Sequence, residues 1–305
     1  MNARYVLFVS LAALSVQTAR SQISPGTEVF FRAKADCGLS MNGSTDDYAA
    51  LVACIPSGGN VVIAFPPGTV RLSQQLVITQ NNVALVGAGG LAYRSWQGTP
   101  TQNSTRFLYT GGSTTNSVIR IDGSGNSPRQ VNYFRLEGIT VDGNNNAGHA
   151  VTFQDAFNPV VKNVAMIRWA NQGDNAYGFV IKSDGVANCL QAGASDIDSL
   201  YIGTGNAATG GILIGPDAFS SEACTIKMGK IWLDASNTPG YHQIWVKNGD
   251  SNTFDNVSAE GNAVGAANIT NITTDGSGVA TVYCSAGCGM PSGITNLRRH
   301  AKLTQ

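Results

Sequence analysis

Gly138-Ile139-Thr140-Val141-Asp142, Asn163-Val164-Ala165-Met166-Ile167, Ser199-Leu200-Tyr201-Ile202, Lys230-Ile231-Trp232-Leu233-Asp234 and Asn256-Val257-Ser258-Ala259-Glu260 are five versions of one short β-branched run. Their starts lie 25, 36, 31 and 26 residues apart. A second series interleaves with the first: Ala150-Val151-Thr152-Phe153, Gly178-Phe179-Val180-Ile181, Gly211-Ile212-Leu213-Ile214 and Gln243-Ile244-Trp245-Val246, at spacings of 28, 33 and 32. Two strand series kept in phase at one irregular period predict a solenoid, each turn laying its strands on those of the turn before. Positions i and i+2 of each run then point inward and stack into one core. Hairpins of a β-sandwich would not hold two series in phase for so long. The expected fold is all-β: a single-stranded right-handed parallel β-helix.

Composition agrees. The 36 Gly and 26 Asn, with only 10 Pro, suit many tight turns between short strands. Charged residues make up 12% of the 305, about half the usual ~25%. Nineteen basic and nineteen acidic residues cancel, which argues against nucleic acid as the main partner, since phosphate binding needs a basic excess.

Residues 1–21 have the parts of a secretory signal: Arg4, an apolar stretch from Val6 to Val16, and Ala19-Arg20-Ser21 ahead of Gln22. The apolar stretch is well short of the ~20 residues that span a bilayer. The expectation is a secreted, extracellular chain, free of the membrane after cleavage. Six cysteines fit that address: Cys37, Cys54, Cys189, Cys224, Cys284 and Cys288. Neighbourhood favours the disulfides 37–54, 189–224 and 284–288. A zinc site is the alternative, but no CxxC pair and no His at ligand spacing supports it.

Ser44-Thr45-Asp46-Asp47 followed by Tyr48, Leu51, Val52 and Ile55 predicts a helix near 45–55, with a cap and two acids in its first turn. Residues 22–262 should form the β-helix. Ile269–Ile272 and Val279–Tyr283, around Asp275-Gly276-Ser277-Gly278, read as a β-hairpin module over 263–290. Residues 291–305 read as an irregular basic tail with no evident cap.

A resemblance follows from these residues. Gly43–Leu51, then Phe65-Pro66-Pro67-Gly68-Thr69-Val70-Arg71-Leu72-Ser73, then Asn82–Gly89 resemble, in this order, the entry motif of the pectate-lyase-like β-helix superfamily. The likeness is to the branch that includes rhamnogalacturonases, epimerase-like proteins and phage tailspikes. It is specific over 36–90 and diffuse over 91–262. It implies that the early helix caps one end of the coil.

The outward positions of the first series are Thr140, Ala165, Tyr201, Trp232 and Ser258, with Asp142, Asp234 and Glu260 one step further along. If the register holds, Tyr201 and Trp232 form an aromatic shelf for sugar rings, with Asp142 and His149 as further substrate contacts. Asp234 and Glu260 then lie side by side as an acid/base pair, the arrangement a glycosidase uses. A lyase needs a base and a counter-charge for the uronate carboxylate. Lys182 is the candidate base, and calcium held by Asp155 and Asp184 is one solution for the counter-charge; no cofactor is otherwise implied. The paired aspartates, Gly-His-Gly and Arg-x-Lys of polygalacturonase-type relatives are not found here, Gly148-His149-Ala150 being a partial echo. Two main functions therefore stay open, beside a third, an epimerase, that only the resemblance of the entry motif implies. One is a secreted enzyme, glycoside hydrolase or polysaccharide lyase, acting on an acidic polysaccharide. The other is a non-catalytic glycan-binding adhesin or fibre, monomeric or homotrimeric.

Overall fold

The computed structural model describes residues 28–89, 103–170, 176–183, 195–203, 209–215, 226–234, 243–246, 252–259, 272–274, 280–286 and 296–299. In chain order its elements begin β1 (Val29–Arg32), β2 (Asn42–Asp46), α1 (Tyr48–Cys54), β3 (Val61–Ala64), β4 (Gly68–Leu72), β5 (Leu76–Ile78), β6 (Val83–Val86), β7 (Thr105–Tyr109) and β8 (Thr114–Asp122). They continue β9 (Val131–Asn132), β10 (Arg135–Glu137), β11 (Ile139–Asp142), β12 (Ala147–Gln154), β13 (Ala156–Phe157), β14 (Val160–Ile167), β15 (Tyr177–Lys182), β16 (Asp196–Gly203) and β17 (Gly210–Ile214). The last are β18 (Lys227–Asp234), β19 (Ile244–Val246), β20 (Asn252–Ala259), β21 (Ile272–Thr274), β22 (Ala280–Ala286) and β23 (Asn296–Arg299).

The chain is mostly β, built on one large, curled parallel sheet. Ten of its strands follow the order β1-β3-β6-β10-β14-β16-β18-β20-β22-β23. A seven-stranded sheet, β5-β8-β12-β15-β17-β19-β21, runs beside it, also in parallel. Each sheet takes its strands in sequence order, so residues one repeat apart become neighbours about 4.8 Å apart.

The large sheet bends along a column of left-handed residues. Gly138, Asn163, Ser199, Lys230 and Asn256, at φ between 48° and 62°, occupy equivalent places on adjacent strands. Each of the five first-series runs begins at this column. The bend splits the strands into two faces, and with the second sheet there are three where the sequence signals two. The unforeseen face consists of triplets such as Arg135-Leu136-Glu137 and Asp196-Ile197-Asp198, with one apolar residue each, too short to show a period.

Inward side chains stack without a break. Ile63, Leu85, Leu136, Val161, Ile197, Met228 and Phe254 form one buried file. Val70, Phe107, Val141, Met166, Ile202 and Leu233 form the second. Leu76, Ile119, Val151, Phe179, Ile212 and Ile244 form the third. Each such side chain contributes roughly 1.5–3 kcal/mol by leaving water, and adjacent rungs share the contacts, so the core is continuous.

The entry region departs from expectation in its details. The helix is Tyr48–Cys54, shorter than 45–55, and Ser44 to Asp46 belong to a strand. Neither acid lies inside the helix: Asp47 is its N-cap residue and makes no side-chain cap bond, while Asp46 Oδ1 accepts from the first helical N–H, that of Tyr48, at 3.3 Å. The buried Asp47 carboxylate accepts hydrogen bonds from Ser40 N (2.7 Å), Ser40 Oγ (2.8 Å) and Met41 N (3.1 Å). Asp46 accepts from Ser73 N (3.1 Å) and Ser73 Oγ. Carboxylates here tie β2 to β4 and to the preceding loop, a stronger use than an exposed helix end. Leu51 and Cys54 turn into the core, and Cys54 forms a disulfide with Cys37 across a Cα–Cα distance of 5.4 Å. Cys189, Cys224 and Cys288 lie outside the described residues, as do residues 1–21.

The far end also differs. Residues 272–274 and 280–286 do not pair with each other as a hairpin. β21 adds to β19 and β22 to β20, both in parallel, and β23 adds to β22 within the segment read as an irregular tail. Existing sheet edges offer ready hydrogen-bond partners to runs of this length, and they take precedence over local pairing.

Candidate functional site

The outward face of β4, β7, β11 and the later halves of β14, β16, β18 and β20 carries two ladders. Thr69, Arg106, Thr140, Ala165, Tyr201, Trp232 and Ser258 are successive partners on the first. Arg71, Leu108, Asp142, Ile167, Gly203 and Asp234 are successive partners on the second. Tyr201 and Trp232 therefore stand side by side. Their rings meet edge to face at 6.0 Å and 84°. Tyr201 is buried, while Trp232 keeps part of its surface open. Only Trp232 of the two is placed to offer a surface to a ligand.

Asp142 is wholly buried, and its carboxylate is filled by protein groups. Oδ1 accepts from Arg168 Nε (2.9 Å) and from the Asn144 backbone N–H (2.9 Å). Oδ2 accepts from Arg168 Nη2 (2.6 Å) and also meets Arg106 Nη2. The residue expected to touch substrate is thus the hub of a charge cluster. The two arginines escape a sequence reading. Arg106 lies on β7, ahead of the periodic series, and Arg168 follows the end of its run in the left-handed region at φ 53°.

Asp234 ends β18 opposite Gly203 and is partly exposed. β18 and β20 pair up to Leu233 with Ala259. Glu260, the next residue, lies outside the described residues, as does Asp184.

On the second sheet, Asp122, Gln154 and Lys182 share one outward ladder. Arg120 donates to Gln154 Oε1 at 2.8 Å and pairs with Asp122 at 2.8 Å. His149 Nδ1 lies 2.9 Å from the Tyr177 carbonyl oxygen, the geometry of a neutral ring protonated at Nδ1. Burial pushes the His149 pKa down to about 4; the Lys182 charge adds to this and the Tyr177 hydrogen bond opposes it. Asp155 is buried beside Lys182 and Ser183 at a left-handed position. Burial pushes its pKa up to about 6, with Asp122 adding and Ser183, Arg129 and Lys182 opposing. A carboxyl facing two cations, in a desolvated setting that favours its neutral form, is a poor ligand for calcium. Among the described residues no group of three or more His, Cys, Asp or Glu could hold a metal ion. No helix among them is long and apolar enough to cross a membrane.

Two solved structures resemble the chain. Geobacillus virus E2 ORF18 superposes with a TM-score of 0.51 at 15% identity, over 84% of this chain and 53% of its own. The N-terminal fragment of bacteriophage phi29 gene product 12 gives 0.42 at 12% identity, over 84% and 57%. This chain therefore matches little more than half the length of either. At such identity the likeness to ORF18 speaks for the parallel β-fold alone. No family model and no curated protein matches the sequence.

Proposed function

We propose that the chain is an exported right-handed parallel β-helix, capped at its N-terminal end by α1, that serves as a rigid, non-catalytic rod facing polysaccharide, in the manner of a fibre or adhesin. One observation carries this reading. The acid that the outward ladders hold mid-coil, Asp142, is fully consumed by Arg106, Arg168 and Asn144. A carboxylate with four protein donors has no acceptor site left for a sugar hydroxyl, so the residue expected to contact substrate is a structural hub. Ten strands at ~4.8 Å make a rod of about 43 Å along the path from β1 to β23, with the partly open Trp232 on its flank. The virus origin of ORF18 is compatible with a fibre role.

The second reading is an enzyme. The pairing of Leu233 with Ala259 favours it, because Asp234 and Glu260 are the residues that follow this pair in sequence. Mature protein incubated with a polysaccharide panel decides between the two. The rod reading expects neither new reducing ends nor the ultraviolet absorbance of an unsaturated uronate, together with retention of glycan. Turnover that Glu260→Gln abolishes overturns it and establishes the acid pair; absorbance at the unsaturated product moves attention to Lys182. Light scattering on the eluted protein separates a homotrimeric fibre from a monomer.

A further inference from the structure

The charges around Asp142 do not balance. One buried carboxylate meets two guanidinium groups, and among the described residues neither Arg106 nor Arg168 meets a second carboxylate. Oδ1 and Oδ2 already accept two contacts each, so Asp142 has nothing further to give. The Nε–H of Arg106 is buried and has no hydrogen-bond partner there. A desolvated cation with an idle donor is costly unless an anion completes it. Both arginines rise from the outward side of the large sheet, and Arg168 keeps an exposed edge, with 26% of its side chain open against 12% for Arg106. Arg168 is held in the left-handed region, where an ordinary side chain stays at a cost of about 1–2 kcal/mol. A third guanidinium, Arg71, lies two strands away on the ladder of Asp142, hydrogen-bonded to Thr110 Oγ1 and the Ser44 carbonyl.

We propose that Arg106 and Arg168 form an anion subsite that takes a carboxylate or sulfate group of an acidic polysaccharide lying along the flank. Arginine suits this because its planar fork matches such oxyanions two bonds at a time. The inference rests on the glycan-facing reading for its ligand, but not for the existence of the subsite.

The test uses the full mature chain and two kinds of probe. Replacing chloride by sulfate at fixed ionic strength reads the subsite through thermal unfolding, since an anion bound to the folded state raises the midpoint. Titration with polygalacturonate, dextran sulfate and neutral dextran reads the glycan. The wild type is expected to gain stability in sulfate and to bind at least one of the acidic polymers, with neutral dextran inert. Arg106→Met leaves Asp142 in a neutral fork with Arg168, so the fold should survive while the sulfate gain falls to the general increment that sulfate gives any folded protein by exclusion from its surface, and acidic-polymer affinity falls at least tenfold. Arg106→Lys keeps the charge and removes Nε, and carries the test if the methionine variant does not fold; its affinity should fall several-fold. A sulfate gain larger in the wild type than in Arg106→Met, without polymer binding, keeps the subsite and removes the glycan; equal gains in the two remove the subsite. Polymer binding unchanged in both variants removes the subsite and keeps the glycan-facing reading. A wild type indifferent to sulfate and to both acidic polymers overturns the proposal.

Discussion

Tyr201 and Trp232 are in-register partners on adjacent parallel strands, and their rings meet edge to face at 6.0 Å. Only the first is buried. The pair is therefore asymmetric: Tyr201 holds the flank together and Trp232 presents it. Truncating Tyr201 to Ala should cost about 3 kcal/mol, through lost burial and lost ring contact. Trp232→Ala should cost clearly less and should be the variant that weakens glycan retention. Urea denaturation and a polysaccharide pull-down check both; equal stability losses would mean that exposure does not distinguish the two rings.

Asp142 and the two arginines make a second prediction. Asp142→Asn leaves both guanidinium groups desolvated and without a counter-charge, and such a break typically costs about 3–5 kcal/mol. Arg106→Met leaves one balanced fork and should cost far less. Chemical denaturation of both variants measures the contrast, and similar losses would show that the cluster is held by packing rather than by charge.

The left-handed column supplies a third. Lys230 has φ 48° while Asn163 and Asn256 fill equivalent places, and Asn tolerates that region better than Lys. The Lys230 pair with Asp198 at 3.2 Å is exposed and worth little. Lys230→Asn should therefore raise stability by about 0.5 kcal/mol. Gly138→Ala should do the reverse by more than about 1 kcal/mol, since Gly138 has φ 62° and a Cβ there would come 2.6 Å from the Gly87 carbonyl oxygen. Melting temperatures of the two variants must move in opposite directions.

The parts legible in the sequence were those with long, repeated apolar runs. Ile139 to Asp142, Val164 to Ile167 and their successors announce both their spacing and their inward residues, because a buried file demands an apolar side chain at every rung. Residues that act across rungs leave no such trace. Asp142 reads as an outward acid free for substrate because nothing near it in sequence reveals Arg106 or Arg168. Asp46 and Asp47 resembled helix caps because the Ser73 and Ser40 groups they bind belong to β4's end and to the loop ahead of β2. The corner column was half visible: Gly138, Asn163 and Asn256 signal it by residue type, whereas Ser199 and Lys230 take the same backbone only because their neighbours on both sides impose it.

The entry disulfide makes a fourth prediction. Cys37 and Cys54 are 17 residues apart and tie α1 to the loop that follows β1. In the chain-entropy account a loop of this size is worth about 3 kcal/mol. A Cys37→Ala/Cys54→Ala double variant should lose that much unfolding free energy in chemical denaturation, and the wild type should lose at least as much on reduction. A reductant effect persisting in the double variant would have to come from the other cysteines.

His149 and Asp155 give opposite pH dependences in one window. His149 has its pKa lowered from 6.5 to about 4 on folding, so the unfolded chain binds more protons between those values and stability from this group rises with pH from about 4 to 6.5. Asp155 has its pKa raised from 3.8 to about 6, so the folded chain binds more protons and stability from this group falls as pH rises through the same range. Each shift is bounded at about 3 kcal/mol at 1.36 kcal/mol per unit, and the two nearly cancel. Stability of the wild type should therefore vary little with these groups between pH 4 and 6. His149→Gln removes the rising contribution and should make the protein less stable at pH 6 than at pH 4. Asp155→Asn removes the falling one and should do the opposite. Urea midpoints of both variants across this range, each referenced to the wild type, measure the two slopes. Slopes of the same sign would show that burial does not govern both groups.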